Sequence, residues 1–404
     1  MTSPTPGPDD ARRRSTLPIV FSVIIIDLIG FGIVIPILPA YTKDLGASAA
    51  MLGILLATHA ALQFLFAPVW GRLSDRIGRR PVMLVTIAGT SAALLLLGLA
   101  ESILGLFVAR LLSGLFSANI SVATAYVADV TAESERTRWM GMVGASFGIG
   151  FILGPALGGL LHPLGSGVPA FVAAGLAAAN FVWAAVSLTE PQRHEEQARK
   201  RGGLRAVLRD KVVARLCITN LVFTLGVAQL ESTFFYWMSD QFGYDVRQVA
   251  FILVGMAVVM ASIQGGAIRP LVGRLGEKRM LISGLLFMAL AFPIIPWVHT
   301  VGLLMIPLAL SALGRAIAQP PMTSLVSMRG GAAARGELMG VFQSSAALAR
   351  IFGPLVAGVL YDFSAPGPFY LAALLFALGA VISMGLASTD AGQGSGSPAA
   401  PQAG

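Results

Sequence analysis

Twelve long apolar segments constrain this chain more than any other feature of its 404 residues. They lie near residues 17–40, 49–70, 82–100, 103–127, 139–162, 169–188, 212–238, 247–268, 280–298, 301–327, 338–361 and 367–388. A helix of about 20 residues spans roughly 30 Å of hydrocarbon. Only 12% of the residues are charged, about half the share in soluble domains. The pattern predicts an all-α polytopic membrane protein with twelve transmembrane helices, because lipid leaves backbone groups no other partners.

Basic residues between the apolar segments predict the orientation of the chain. The N-terminus and the loops after segments 2, 4, 6, 8 and 10 carry 22 of the 28 arginines and lysines, whereas Lys43 and Arg247 lie on the other side. We call these two sides the basic face and the opposite face. Since cytoplasmic loops are enriched in Arg and Lys, the basic face and both termini are expected in the cytoplasm. The net charge of +8 then favours anionic lipid headgroups, and not nucleic acid, as partners.

The chain divides into two similar halves. "FILGPALGGLL" at residues 151–161 is echoed as "RIFGPLVAGVL" at residues 350–360. We therefore predict a six-helix bundle over 17–188, a charged loop over 189–211 and a second bundle over 212–388, with disordered tails at 1–16 and 389–404. In secondary transporters such repeats place the substrate between the halves, near the middle of the membrane.

The residues indicate no enzyme, metal centre or bound cofactor. The single cysteine, Cys217, lies in an apolar segment, and the four histidines have no metal-ligand spacing. The chain has no phosphate-binding GxxxxGK[ST] loop. We see no catalytic constellation, so the protein is not expected to be an enzyme.

Four motifs carry a resemblance to a known family. They are "DLIGFGIVIPILP" (27–39), "GRLSDRIGRRPVML" (71–84), "RLLSGLFSA" (110–118) and "GASFGIGFILGPALGGLL" (144–161). The chain resembles the major facilitator superfamily, and within it the twelve-helix drug:proton antiporters of the tetracycline-resistance-like branch. The resemblance implies the major facilitator fold, alternating access and a proton gradient as the energy source.

The second motif predicts a conformational latch between segments 2 and 3. Gly71 and Gly78 permit a tight turn with close helix approach, and Asp75 can pair with Arg79. The resemblance adds Asp129 to this charge cluster. The remaining basic members of the latch are Arg76 and Arg80. The alternative is a basic loop that only sets the topology.

Proton coupling is expected at Asp27, Arg110 and Glu231. Asp27 lies ten residues into segment 1, or about 15 Å deep, where a carboxylate is costly and usually functional. Arg110 matches the proton-linked arginine of the family, and we expect it to be the partner of Asp27. Glu231 matches an acid of relatives in segment 7. The alternative is a structural aspartate that bonds a neighbouring helix.

Segment 5 resembles the antiporter motif of the superfamily. Its small residues allow close helix packing, and its proline bends the helix. The motif residues are Gly150, Gly154, Pro155, Gly158 and Gly159. Ordinary packing of small residues is the alternative.

Further polar residues are candidates for the substrate cavity: His59, Gln63, Asn119, Arg315 and Arg350. Arg315 and Arg350 either neutralise Asp27 and Glu231 or meet an anionic group of the substrate.

We interpret the chain as a proton-driven exporter of small, partly hydrophobic molecules, acting as a monomer in a bacterial inner membrane. A proton-coupled importer or metabolite exchanger of the same fold is the first alternative, and a non-transporting membrane sensor is the second. Well-studied tetracycline exporters have acids in segments 3 and 9 and a histidine in segment 8. The matching positions here are Ala93, Met288 and Met260, so tetracycline is one candidate substrate among others.

Overall fold

Twelve helices of the computed structural model, which describes residues 8–131, 133–191, 210–329 and 335–386, are long and apolar enough to cross a membrane. This confirms the predicted number, and we label these spans α1 to α12. The bounds are α1 Pro8–Asp44, α2 Ala49–Ile77, α3 Arg79–Gly98, α4 Ile103–Phe116 with Asn119–Val130, α5 Glu133–Leu161, α6 Val168–Ser187, α7 Lys211–Phe242, α8 Val246–Ser262 with Ile268–Leu275, α9 Glu277–Ala291, α10 Val301–Arg329, α11 Arg335–Phe363 and α12 Gly367–Met384. Within these described ranges the protein has no β-strand.

The first helix begins earlier than the sequence predicted. The segment 1–16 was expected to be a disordered tail; α1 starts at Pro8, and its membrane-spanning part is Thr16–Asp44. Pro8 has the fixed backbone angle that suits the first helical position. Residues 1–7, 192–209 and 387–404, which hold the rest of that tail, most of the central loop and the second tail, lie outside the described residues.

Three spans are interrupted. In α4 the helix breaks at Ser117 and Ala118. In α8 a π-helical turn, Ile263–Ala267, separates two α-helical parts, and α9 continues as a 3₁₀-helix, Phe292–Trp297. Such irregular turns within helices often mark functional positions. They leave no trace in the hydrophobic pattern, because the apolar segments run through them without a gap.

The spans form two six-helix bundles with equivalent contacts. In the N-terminal half α1 packs against α5 and α6, and in the C-terminal half α7 packs against α11 and α12. The largest contacts between the halves join α2 to α11 and α5 to α8. In the repeat α2 corresponds to α8, and α5 corresponds to α11. The two contacts are therefore equivalent under the pseudo-symmetry that relates the halves. The pseudo-symmetry predicted from the repeat is therefore present in the fold.

The halves share a hydrophobic core toward the opposite face. One cluster of buried side chains includes Ile37 and Leu52 of the N-terminal half together with Phe234 and Phe369 of the C-terminal half. A second cluster contains only N-terminal residues near the basic face. The bundle is thus joined at the opposite face, while the basic end of its N-terminal half has a core of its own.

Candidate functional site

Polar contacts seal the opposite face. Lys43 at the end of α1 forms a 2.5 Å ion pair with Asp240 of α7, and Thr42 hydrogen-bonds to Tyr236 at 2.9 Å. From α11, the carboxylate of Asp362 accepts 3.0 Å hydrogen bonds from the first two backbone N–H groups of α2. A carboxylate stabilises a helix N-terminus in this way. We call these five residues the seam; each of its contacts crosses between the halves.

The basic face is open beside α2. A cavity of about 430 Å³ there is lined by Pro68, Gly71, Arg72 and Asp75. A Cβ atom at Gly71 would have no neighbour within 4 Å. The close approach that the sequence predicted at Gly71 is therefore absent in this conformation, in which polar contacts join the halves at the opposite face and a cavity lies beside α2 at the basic face.

The predicted latch cluster is assembled within the N-terminal half. Arg79 forms ion pairs with Asp75 at 2.6 Å and with Asp129 at 2.9 Å. Gly78 has a φ of +114°, and a Cβ there would lie 2.7 Å from the carboxyl group of Glu190. That carboxylate accepts hydrogen bonds from the backbone N–H groups of Arg79 and Arg80, at 2.6 and 2.9 Å. Sequence reasoning missed Glu190, because it stands after α6, far from the motif.

Asp27 lies inside the N-terminal bundle. Its carboxylate accepts a 2.7 Å hydrogen bond from Asn119 of α4, which also donates to Thr90 of α3 at 3.2 Å. These three residues and Asn180 of α6 line a cavity of about 10 Å³, close to the volume that one water molecule needs. Asn119 was expected to line the substrate cavity between the halves; it is 2% exposed, and its side chain donates to Asp27 inside the N-terminal bundle.

The expected pair of Asp27 and Arg110 is absent. In the part of the chain that the structure describes, neither residue forms an ion pair. Arg110 is 3% exposed and its Nε atom is buried without a hydrogen-bond partner. Its helix α4 packs closely on α2, where a Cβ at Gly114 would lie 2.6 Å from the carbonyl oxygen of His59. The polar residues of the N-terminal half therefore form two separate groups.

Glu231 and Arg315 form the polar pair of the C-terminal half. Arg315 of α10 donates to the carboxylate of Glu231 at 2.7 Å. Arg350 of α11 lies within electrostatic range of Glu231 but forms no hydrogen bond or ion pair with any described residue. In the N-terminal half Gln63, one turn from His59, donates to Ser117 at 2.8 Å, where α4 breaks.

The small residues of α5 pack mainly against α1. A Cβ at Gly154 would lie 2.5 Å from the Cα atom of Gly32, and one at Gly158 would lie 3.1 Å from Ile33. Gly150 likewise meets Leu28. Another member of the motif, Gly159, crosses to the C-terminal half, where its Cβ would press on Ala250 and Arg247 of α8. Pro155 lies within α5, and a Cβ at Gly32 would lie 3.1 Å from its ring.

The sequence profile of the Major Facilitator Superfamily matches residues 20–276 and 267–403. The chain belongs to the major facilitator superfamily. It is 33% identical over 357 residues to the class D tetracycline resistance protein of Salmonella ordonez, and the aligned region covers 85% of this chain and 90% of that protein. It is 28% identical to multidrug resistance protein 1 of Bacillus subtilis, over 92% of this chain and 96% of that protein. These relatives confirm the branch named from the motifs.

A solved structure of the same superfamily agrees with this assignment. The human organic anion transporter MFSD10 (TETRAN) is 26% identical, with a TM-score of 0.70 over 93% of this chain and 100% of that one. The family consists of transporters, so the protein is a multi-pass membrane transporter and not an enzyme.

Proposed function

We propose that this transporter is a proton-driven antiporter that exports small, partly hydrophobic, drug-like molecules. The carboxylate of Asp27 carries this proposal, because it lies deep in α1, in a polar pocket with Asn119 and Thr90. An ionisable group at that depth is costly, and in transporters such groups serve proton transfer. The names of the relatives, which are tetracycline and multidrug resistance proteins, support export of drugs.

In this proposal Asp27 binds and releases the proton, and Arg110 and Glu231 couple its charge to the conformation. No bound cofactor is needed, since the proton gradient supplies the energy. A charge moved across the membrane yields about 2.3 kcal/mol per 100 mV. The substrate binds between the halves, where His59, Gln63, Arg315 and Arg350 lie, and lipids surround a monomeric transporter.

During alternating access the seam contacts at the opposite face would break, and the latch residues at the basic face would form contacts between the halves. The present arrangement, with Lys43 bonded to Asp240 and Asp75 exposed to the open side, corresponds to the inward-open state if the basic face is cytoplasmic. Closing the basic face would bring Asp75 toward the C-terminal half, where a helix N-terminus can receive its charge. The charge asymmetry of the loops supports this orientation, with both termini in the cytoplasm of a bacterium.

Everted membrane vesicles test this function. Wild type should accumulate tetracycline or ethidium uphill when the vesicle interior is acidified, and added substrate should release protons. Asp27→Asn, which fixes the neutral form, should lose both activities while still binding substrate. If the variant pumps and releases protons like wild type, Asp27 is structural, and Glu231→Gln becomes the variant to measure. Substrate uptake that runs with the proton gradient would favour the importer.

A further inference from the structure

Three basic side chains converge between the halves, away from Asp27. His59 of α2 and Arg110 of α4 belong to the N-terminal half, and Arg350 of α11 belongs to the C-terminal half. The helix that carries His59 packs against both of the helices that carry the arginines. Gly114 lets α4 approach α2 closely, because a Cβ there would lie 2.6 Å from the carbonyl oxygen of His59.

Within the described residues, these side chains have no hydrogen-bond or ion-pair partner. His59 is 6% exposed and both of its ring nitrogens are buried without a hydrogen bond. Arg110 is 3% exposed, and across the described ranges it has neither an ion pair nor a hydrogen bond. A buried charge without a counterion is strongly unfavourable, and inside a membrane protein such a group indicates a functional site whose partner can be named.

The two deep acids of the chain do not supply that partner. Asp27 is bonded to Asn119 in the N-terminal bundle, and Glu231 is bonded to Arg315. Arg350 lies within longer electrostatic range of Glu231 but forms no ion pair with it. Arg110 and Arg350 therefore leave the centre of the molecule with an excess of positive charge.

Aromatic rings adjoin this basic group. Phe31 of α1, whose side chain is partly exposed, has its ring centroid 6.3 Å from that of His59. Phe151 of α5 meets Phe31 edge-on, with centroids 6.1 Å apart. A molecule with an aromatic body and an acidic group would find an apolar wall beside three hydrogen-bond donors.

We propose that His59, Arg110 and Arg350 form a subsite for the anionic group, such as a carboxylate, of a partly aromatic substrate. The proposal rests on the proposed function, because it names the substrate class of that exporter. Arg350 is exposed whereas the other two are buried, so an anion that enters from the basic face meets Arg350 first. Residues of both halves then bind the same anionic group of the substrate, and its binding draws α2, α4 and α11 together.

A matched pair of ligands tests the subsite. Binding of naphthoate and of its uncharged amide, naphthamide, is measured by calorimetry on the full-length protein in lipid nanodiscs. Wild type should bind the carboxylate at least about tenfold more tightly, as expected for a charge-assisted contact. Arg350→Gln and His59→Gln should each reduce this ratio to about threefold or less, and Arg350→Lys should restore part of it. Arg247→Gln, an exposed arginine at the opposite face, is the control and should keep the wild-type ratio.

The proposal is overturned by any of three results. These are equal affinities for the two probes, no binding of either probe, or a preference that persists in both Arg350→Gln and His59→Gln. Uphill export of tetracycline or ethidium by wild-type vesicles, with no preference for the carboxylate, would remove the anion subsite and leave the exporter. Failure to transport any probe would instead remove the proposed function.

Discussion

Asn119 donates a 2.7 Å hydrogen bond to the carboxylate of Asp27, and this pair lies inside the N-terminal bundle and not between the halves. The break of α4 at Ser117 and Ala118 precedes Asn119 directly. In the proposed mechanism, a proton on Asp27 is therefore separated from the substrate between the halves, and it changes the charge next to α4, the helix that also carries Arg110.

Replacing Asn119 by alanine is expected to impair coupling. A hydrogen bond to a charged group contributes about 1.5–3 kcal/mol, so Asn119→Ala should lower substrate-induced proton release by about tenfold or more. The control is Asn220→Ala in α7, a buried asparagine that donates to the carbonyl of Phe342 at 2.9 Å. That variant should lose stability but keep its ratio of protons to substrate. If Asn119→Ala and Asn220→Ala showed the same ratio of protons released to substrate transported, Asn119 would have no role in coupling.

Removing the Lys43 charge is expected to loosen the seam. The pair with Asp240 is partly exposed, and such pairs contribute at most about 1 kcal/mol, so the closed population should fall by up to about fivefold. Spin labels at Leu45→Cys and Gln241→Cys, in a Cys217→Ser background, report the separation of α1 and α7. Lys43→Ala should increase the share of long distances, whereas Lys43→Arg should not. An unchanged distribution in Lys43→Ala would show that the seam is held by its other contacts.

Two glycines of α5 should respond oppositely to the same substitution. Gly154→Val places a side chain against the backbone of Gly32, whereas a Cβ at Gly148 would meet no atom within 4 Å. Overpacking of this kind costs about 1–3 kcal/mol or more. Gly154→Val should thus lower the melting temperature in detergent and abolish uphill transport, while Gly148→Val should retain both. Normal transport by correctly inserted Gly154→Val would disprove a packing role for this motif.

Neutralising Asp75 is expected to affect transport more than stability. Its ion pair with Arg79 is largely exposed, at 60% for the Asp75 side chain, so its contribution in this conformation is below about 1 kcal/mol. If the charge is engaged when the basic face closes, Asp75→Asn should reduce transport about tenfold with little change in melting temperature. Glu101→Gln, an exposed acid at the opposite face, is the control. If Asp75→Asn transported substrate at the wild-type rate, the motif at residues 71–84 would be a basic loop that only sets the topology.

The sequence alone determined the features that depend on local chemistry. Segment length and apolar composition predicted twelve spans, because a helix in lipid must bond its own backbone groups. The internal repeat predicted two equivalent bundles. The charged motif at residues 71–84 predicted the pair of Asp75 and Arg79, because the turn at Gly78 brings the end of α2 and the start of α3 together. The same motif, with the other three, identified the family.

The tertiary structure decided which polar side chains meet across helices. Asp27 and Arg110 were expected to pair from their similar depths, but depth does not determine the rotation of a helix about its axis. In a span that is apolar all round, the sequence has no amphipathic face to reveal that rotation. Asn119 follows the break in α4 and bonds Asp27, and the helix of His59 packs against the helix of Arg350 in the other half. Contacts such as Lys43 with Asp240 join residues that are far apart in the chain, and only the packing of the two halves sets the distance between them.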